Sequence, residues 1–576
     1  MKPGGLSTRT RSTTGNISFY KLDDSKKATL ATQIKKKRPE SCYQVDYEIG
    51  ACLVQAINQR GGTSLRQIAL NGMSRPLPSV DAMSHNQMGL RKGLEKFAER
   101  TEDAVKKEFA QFRRQEVLLP KFAAALSEIE RKEALRLIMT IKEKRNGTVK
   151  ARACADGRSL RGKIRPEDAS SPTVSSEAFS MTCAIDAKEN RVVATCDVSE
   201  AYLHCMMDEL CHVLLEGEMV DLYLEVDPSA SKKVTTDSRG RKKLYTRMNK
   251  ALYGYMRSGR LFWQNFSAKL KSLGFASNPD DLCVMNKWYG DDQFTILLHV
   301  DDLKLSFARE KEINDVLRAL EEEYGKLEIQ RGKVLEFLGL TLDYRTKGVC
   351  KIGAGSYIRK AIDSYEGFVK GKAKTPAGDN LFNIRDDAAL LEEGERKKFH
   401  SNFALLLWTA TMARPDILVP ISFLGKRTTK ADVFDREKLL RLLSYLEGTI
   451  EMKLTLGADD LHVIKWWADS SFAVHPDMKS HSGLFGTLGR GAIFAKSTTQ
   501  KLNTTSSTES EVVASSEALT QALWTTSFLK HQGYDVKTAL LHQGNQTAIL
   551  LQKNGVMSRR KRSRHINKIL LHQGQN

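Results

Sequence analysis

Cysteine is sparse in this chain and never arranged as Cys-x-x-Cys. Its nine positions, Cys42, Cys52, Cys154, Cys183, Cys196, Cys205, Cys211, Cys283 and Cys350, are odd in number and scattered. That spacing excludes a disulfide scaffold and a zinc knuckle, and it points to a reduced, intracellular protein. No apolar run reaches membrane-spanning length, and the opening Met1-Lys-Pro-Gly-Gly lacks the apolar core of a signal peptide. Negative charge is the other shortage. Asp and Glu number 69 against 90 Lys and Arg, which leaves a net charge of +21 and a pI near 9.4. An excess of that size favours a polyanion partner over a merely soluble basic surface.

The composition is otherwise that of a folded protein, 41% hydrophobic and 28% charged. A chain of 576 residues is too long for one core and predicts three or four domains. Residues 1–92 read as a flexible basic leader, broken by Gly61-Gly62 and Arg75-Pro76-Leu77-Pro78, with one helix near Tyr47–Asn58. From Gly93 to Lys144 apolar residues at Phe109, Phe112, Val117, Leu118, Phe122, Leu126 and Ile129, with charges between them, predict helix. Short strands, helices and turns follow to about Tyr344. A polar linker, Lys370–Asp379, leads into a helical, apolar stretch from Phe399 to Leu446. The last block opens with the strand-like His462-Val-Ile-Lys-Trp-Trp467 and carries the basic run Arg559–Arg564 near its end. The expected fold class is α+β, multidomain.

Two acids stand side by side in His299-Val300-Asp301-Asp302, flanked by the apolar Phe294–Leu298 on one side and by Leu303 and Leu305 on the other. The dipeptide alone is most often a solvated β-turn. At the tip of an apolar hairpin, however, adjacent carboxylates repel unless something neutralises them. About a hundred residues earlier, Ala194-Thr-Cys-Asp197-Val-Ser-Glu-Ala-Tyr202 reads as a strand ending at an acid and turning into a helix. On adjacent strands of one sheet, Asp197, Asp301 and Asp302 would offer the hard oxygen ligands that magnesium takes, in the manner of a two-metal site.

Further motifs follow the same order along the chain: Lys150-Ala-Arg-Ala-Cys-Ala-Asp-Gly-Arg158, Asp197-Val-x-x-Ala-Tyr202, Lys250-Ala-Leu-Tyr-Gly254, Val300-Asp-Asp302, Phe337-Leu-Gly-Leu340, Ala413-Arg-Pro-Asp-Ile417 and Leu443-Ser-Tyr-Leu-Glu-Gly-Thr449. Over about residues 93–570 the series resembles the Pol polyprotein of copia-type LTR retrotransposons, in its reverse transcriptase and ribonuclease H region. The resemblance implies a right-hand polymerase with fingers and palm over residues 93–360 and a helical connection over 361–460. A truncated, degenerate α/β ribonuclease H-like domain would follow over 461–576. It implies an RNA-directed DNA polymerase that uses two Mg2+ ions, an RNA template, a DNA primer or RNA–DNA hybrid, and deoxynucleoside triphosphates. Such an enzyme would work in the cytoplasm within a virus-like particle, with a nuclear stage. By the same resemblance Asp197, Asp301 and Asp302 are metal ligands and catalytic residues. Tyr202 is the gate whose ring excludes a 2′-hydroxyl. Lys150, Arg152 and Arg158 contact the triphosphate, and Gly254 admits the nucleotide or template to the backbone. His299 stands where the family often has an aromatic residue.

The C-terminal block carries a second acidic pattern. Trp466-Trp-Ala-Asp469 ends a strand in an acid, His481–Gly486 and Gly491–Lys496 read as further strands, and Ser506-Ser-Thr-Glu509-Ser-Glu511 opens a helix running to about His531. Strand-end Asp469 with Glu511 resembles a ribonuclease H site, with Glu509 as the alternative acid. The family's third and fourth acids fall where this chain has Gly544 and Asn567, so hybrid cleavage is expected to be lost. Leu-Leu-His-Gln-Gly occurs twice, at 540–544 and 570–574. Three readings stay open on the sequence. They are an RNA-directed DNA polymerase, a non-catalytic nucleic-acid-binding remnant, and an RNA-templated RNA polymerase, which the aromatic Tyr202 opposes. The run Arg559–Arg564 reads as a solvated face, a nuclear-import signal or a hybrid-binding edge. No Asp-Ser/Thr-Gly protease triplet or integrase cluster is evident, so those modules are expected on another chain or not at all.

Overall fold

A computed structural model describes residues 87–143, 147–369 and 371–554, with the short strands Ile17–Ser18 and Cys42–Val45. The helix expected near Tyr47–Asn58, the run Arg559–Arg564 and Asn567 lie outside the described residues.

The central antiparallel sheet orders its strands Ala276–Ser277, Val284–Tyr289, Asp292–His299, Asp302–Phe307, Val192–Asp197 and Glu328–Gln330. Nearly every residue of Asp292–His299 and Asp302–Phe307 is buried, on both faces. A strand covered on both sides reads as one continuous apolar run, and that is why the flanks of the Asp-Asp pair look uninterrupted in sequence. The helix Ser176–Lys188, capped by the Ser175 side chain on the Ala178 amide, is among the elements covering this sheet.

The region before it departs from expectation. Helix runs over Leu90–Phe97 and Glu99–Arg114 and again, briefly, over Glu128–Glu133; Leu118–Lys121 and Leu135–Glu143 are strands. Pro120 cannot sit inside a helix. Leu135, Leu137, Met139 and Ile141 are buried on one face while Arg136 and Ile138 are exposed on the other, a period of two that overrides the helix-like charge spacing before it. Leu135–Glu143 pairs with Val149–Ala155 and, in parallel, with His212–Glu216, which pairs with Lys242–Met248. These strands and the helix Glu99–Arg114 enclose a core of their own.

The stretch expected to be a helical connection carries the helices Glu393–Met412, Leu418–Gly425 and Val433–Gly448. The two motifs matched there have a plain structural reason. Arg414, 1% exposed, holds Asp416 through Nε and Nη2 (2.9 and 2.8 Å) and reaches the Thr449 carbonyl and hydroxyl (2.9 and 2.8 Å), while the Tyr445 hydroxyl donates to Asp416 (2.9 Å). One buried guanidinium thus ties the Arg-Pro-Asp turn to the end of the last helix.

The C-terminal sheet runs Phe494–Thr499, His481–Thr487, Val463–Ser471, Thr538–Gln543, with Cys42–Val45 beyond. Val463–Ser471 and Thr538–Gln543 are parallel, and the helix Ser507–His531 is the crossover between them in space. Its start is capped by Ser506, whose hydroxyl accepts from the Glu509 amide.

Candidate active site

Asp302 lies directly opposite Asp197 in the antiparallel pairing of Asp302–Phe307 with Val192–Asp197. The Val198 amide donates to the Asp301 carbonyl at 3.0 Å, so the pairing continues past Asp197 into the turn. His299 opposes Asp302, which leaves Val300 and Asp301 as the two central residues of a tight hairpin. Val300 has φ +58°, a conformation that suits glycine and strains a β-branched residue. The sheet around it is buried on both faces and over-determines that strain. Burial pushes the Cys196 thiol up to about 12, and the negative fields of Asp197 and Asp302 on either side add to the shift.

The three carboxyls share one end of the sheet. Among the described residues, no three His, Cys, Asp or Glu side chains close on a common point tightly enough to enclose an ion. The arrangement is an open cradle whose donors, carboxylate oxygens on facing strands, are the chemistry a hard divalent cation takes. Glu328, exposed, faces Asp197 across its other neighbouring strand. Nothing in the sequence marked it, because only the strand register brings it there. His299 is buried, its Nε2 has no hydrogen-bond partner, and desolvation lowers its pKa. Its ring meets Trp408 of the connection at 6.5 Å.

The other residues singled out in the sequence fall into two groups. Arg152 and Tyr202 are joined through Tyr253: the Arg152 guanidinium lies 4.5 Å from the Tyr253 ring, and that ring is 4.6 Å from Tyr202. Tyr202 is half-buried and also touches Phe262. Tyr253 sits inside the Lys250–Gly254 motif, but its bridging role needs the fold to be seen. Lys150 is exposed at the start of the same strand as Arg152, while Arg158 is folded back onto Asp156 through two bonds of 2.8 and 2.6 Å.

Gly254 has a reason of its own. It takes φ +84°, and a Cβ there would stand 2.2 Å from the Ala155 carbonyl oxygen. The Ala155 amide donates to the Tyr253 carbonyl at 2.8 Å, so the two loops are pressed backbone to backbone. The close approach read from the sequence is therefore to this chain's own backbone. Gly254→Ala is expected to cost about 3 kcal/mol or more, from positive φ and overlap together. A fall in the thermal midpoint with faster proteolysis between residues 149 and 160 would register it.

At the C-terminal site, Asp469 and Glu511 are brought together. Burial pushes the Glu511 carboxyl up to about 7, the charge of Asp469 adds to this, and one Glu511 oxygen has no hydrogen-bond partner. Glu509 is turned away, accepting from the Thr505 amide and hydroxyl at 2.6 and 2.8 Å. Ala468 pairs with Gln543 across the parallel strands, which puts Gly544 at the strand end beside Asp469, and a Cβ at Gly544 would meet open space.

Residues 128–376 match the model of the family described as reverse transcriptase (RNA-dependent DNA polymerase). The chain is 25% identical over 425 residues to a retrovirus-related Pol polyprotein from transposon TNT 1-94 of Nicotiana tabacum, covering 72% of this chain and 30% of that protein. It is 24% identical over 412 residues to the transposon Ty1-GR2 Gag-Pol polyprotein of Saccharomyces cerevisiae, covering 68% and 22%. The chain thus spans less than a third of the length of these relatives. Among solved structures it is similar to the foamy viral protease-reverse transcriptase in complex with double-stranded DNA, at 14% identity and a TM-score of 0.42, covering 74% of this chain and 61% of that one.

Proposed function

We infer that this chain, whose residues 128–376 are a reverse transcriptase domain of the copia retrotransposon type, is an RNA-directed DNA polymerase. The observation that carries the reading is the register that sets Asp302 against Asp197 with Asp301 at the adjoining turn. Asp197, Asp301 and Asp302 would hold the divalent cations, and carboxylate donors suit Mg2+. When bound, such ions supply Lewis acidity toward a primer 3′-hydroxyl and a triphosphate. The chain's own residues do the rest. Lys150 and Arg152 line the strand that faces the incoming triphosphate and offer it positive charge. Arg158 joins them by exchanging Asp156 for phosphate. Tyr202, held between the tilted ring of Tyr253 and the edge-on ring of Phe262, presents a fixed ring to the sugar.

Extension of a DNA primer on a homopolymer RNA template, with and without Mg2+, tests the activity; no incorporation by the folded protein would overturn it. Tyr202→Ala is expected to admit ribonucleotides, raising their use relative to deoxynucleotides at least about tenfold, roughly 1.4 kcal/mol of lost discrimination. Sugar selection by the variant is read by competing the two triphosphates.

The second site is proposed to be inactive as a nuclease. Asp469 and Glu511 are the two acids present, and Gly544 offers no ligand. An RNA–DNA hybrid incubated with Mg2+ should stay intact, and cleavage abolished by Asp469→Asn would contradict this. The open space at Gly544 lets Gly544→Asp add a carboxylate without a clash, which should raise hybrid cleavage above the background of the natural chain.

A further inference from the structure

One hydrophobic core runs without a break from the polymerase sheet into the C-terminal sheet. It holds Phe294, Leu303 and Leu305 of the first together with Trp466 and Leu484 of the second and Phe528 and Leu529 of the helix Ser507–His531. The strands around Leu135–Glu143 keep a core of their own, and the helices over 361–460 keep another, apart from Trp408 and Met412, which join the shared one. We propose that the ribonuclease H-like unit is a structural half of the palm, holding the polymerase sheet by its outer edge and by the end opposite its aspartates.

The polar contacts across this junction cluster on the last turn of the helix Ser507–His531 and the loop after it. A helix end leaves its final carbonyls without intrahelical donors. Here the palm reaches that end: Gln293 donates to the Gln532 carbonyl at 2.8 Å, and Asn278 adds a second donor, at 3.2 Å, to the Phe528 carbonyl that the Gln532 amide already meets. Asp280 accepts from the Ser527 hydroxyl at 2.9 Å and meets the His531 ring nitrogen at 2.6 Å. Gly533, at φ +86°, lies so close to Trp288 that a Cβ would stand 2.4 Å from the indole.

Arg191 is the keystone. It is 5% exposed and precedes the strand that ends in Asp197. Its guanidinium donates to Glu189 at 2.8 Å, to Thr295 at 3.2 Å and to the Tyr534 hydroxyl at 3.2 Å, and that hydroxyl donates to Glu189 at 2.6 Å. Thr295 is on the strand that leads to the Asp-Asp turn. Arg191 therefore spans the intervening strand Asp302–Phe307 and fastens both aspartate-bearing arms, with Tyr534 closing the fourth side. About 20 Å of strand, at ~3.3 Å per residue, separates this clasp from Asp197.

The nuclease-like acids sit elsewhere. Glu511 is in the opening turns of the helix and the junction in its last, about 24 Å apart at ~1.5 Å per residue. Loss of acids at one end leaves the junction at the other untouched. The unit can thus be kept for the palm after its own site has decayed.

Hydrogen exchange on the full-length protein tests this, and it needs no activity, so it stands apart from the polymerase reading. Gly533→Val forces the helix end off Trp288. The amides of Val192–Asp197 and Asp292–His299 are expected to exchange at least tenfold faster, in step with Val463–Ser471, while those of Leu135–Glu143 stay as in the natural chain. Tyr534→Phe removes one hydroxyl and keeps the ring; it should give the same pattern at about threefold, should the larger change prevent folding. If the polymerase strands keep their protection while the C-terminal sheet loosens, or if Tyr534→Phe leaves both palm strands unchanged, the proposal is overturned.

Discussion

Asp301→Asn is expected to remove primer extension while leaving template binding intact. The substitution keeps size and shape, and the backbone bond from the Val198 amide to the residue 301 carbonyl survives it. What it removes is one of three negative charges gathered at the end of the sheet. A neutral amide oxygen is a poor substitute where divalent charge must be held, and each such contact is worth several kcal/mol in the transition state. At ~1.4 kcal/mol per decade, that is about a thousandfold in rate. Under the proposed function, template binding is expected to draw on the chain's +21 charge, which the variant raises to +22 by removing one acid from the 69. Single-nucleotide incorporation and filter binding on the same preparation separate the two effects. Extension within tenfold of the natural chain would rule out Asp301 as a ligand and leave the strained Val300 turn without a role.

Much of this arrangement was legible because it is local. A strand that ends in an acid, a two-residue turn between apolar runs and a serine-capped helix each write themselves into a few consecutive residues, so Asp197, the Asp-Asp hairpin and Glu511 stood out. The strand Leu135–Glu143 does not, since its alternation is short and follows a genuine helix, Glu99–Arg114, whose charge spacing runs on past Arg114. Gly254 shows a second limit. Its need for close approach was readable, but what approaches it is Ala155, about a hundred residues away. Tyr253, Arg191 and Glu328 carry no local mark for the same reason: their meaning lies in register and long-range packing, which one sequence does not display. The buried polar groups are the extreme case, because a charged residue in a strand pattern looks like a solvent-facing one until the other face is seen to be covered.

Lys304 is that case, and it carries the largest expected effect on stability. It stands two residues past Asp302, on the same face of the strand, and side-chain exposure is zero both for it and for its partner Asp186 on the helix Ser176–Lys188. Burial lowers the Lys304 pKa, but the charge and hydrogen bond of Asp186, with the neighbouring Cys183 and Cys350, together outweigh it; the net shift is upward, so the ammonium is kept at neutral pH. The Tyr344 hydroxyl, 3.5 Å from the same Asp186 oxygen, leans in from the neighbouring sheet. Lys304→Met keeps the length of the stem and strands a carboxylate among Cys183, Tyr344 and Cys350. Breaking a buried pair in this way costs about 3–5 kcal/mol, whereas replacing both partners with apolar groups of similar volume is often neutral. The single variant should therefore unfold at markedly lower denaturant, and Lys304→Met with Asp186→Leu should recover most of the loss. Because the pair lies under the strand that carries Asp302, the double variant also separates stability from catalysis. If extension returns with the midpoint, the pair serves only to fill the core; if the midpoint recovers and extension stays low, Lys304 also fixes where Asp302 stands.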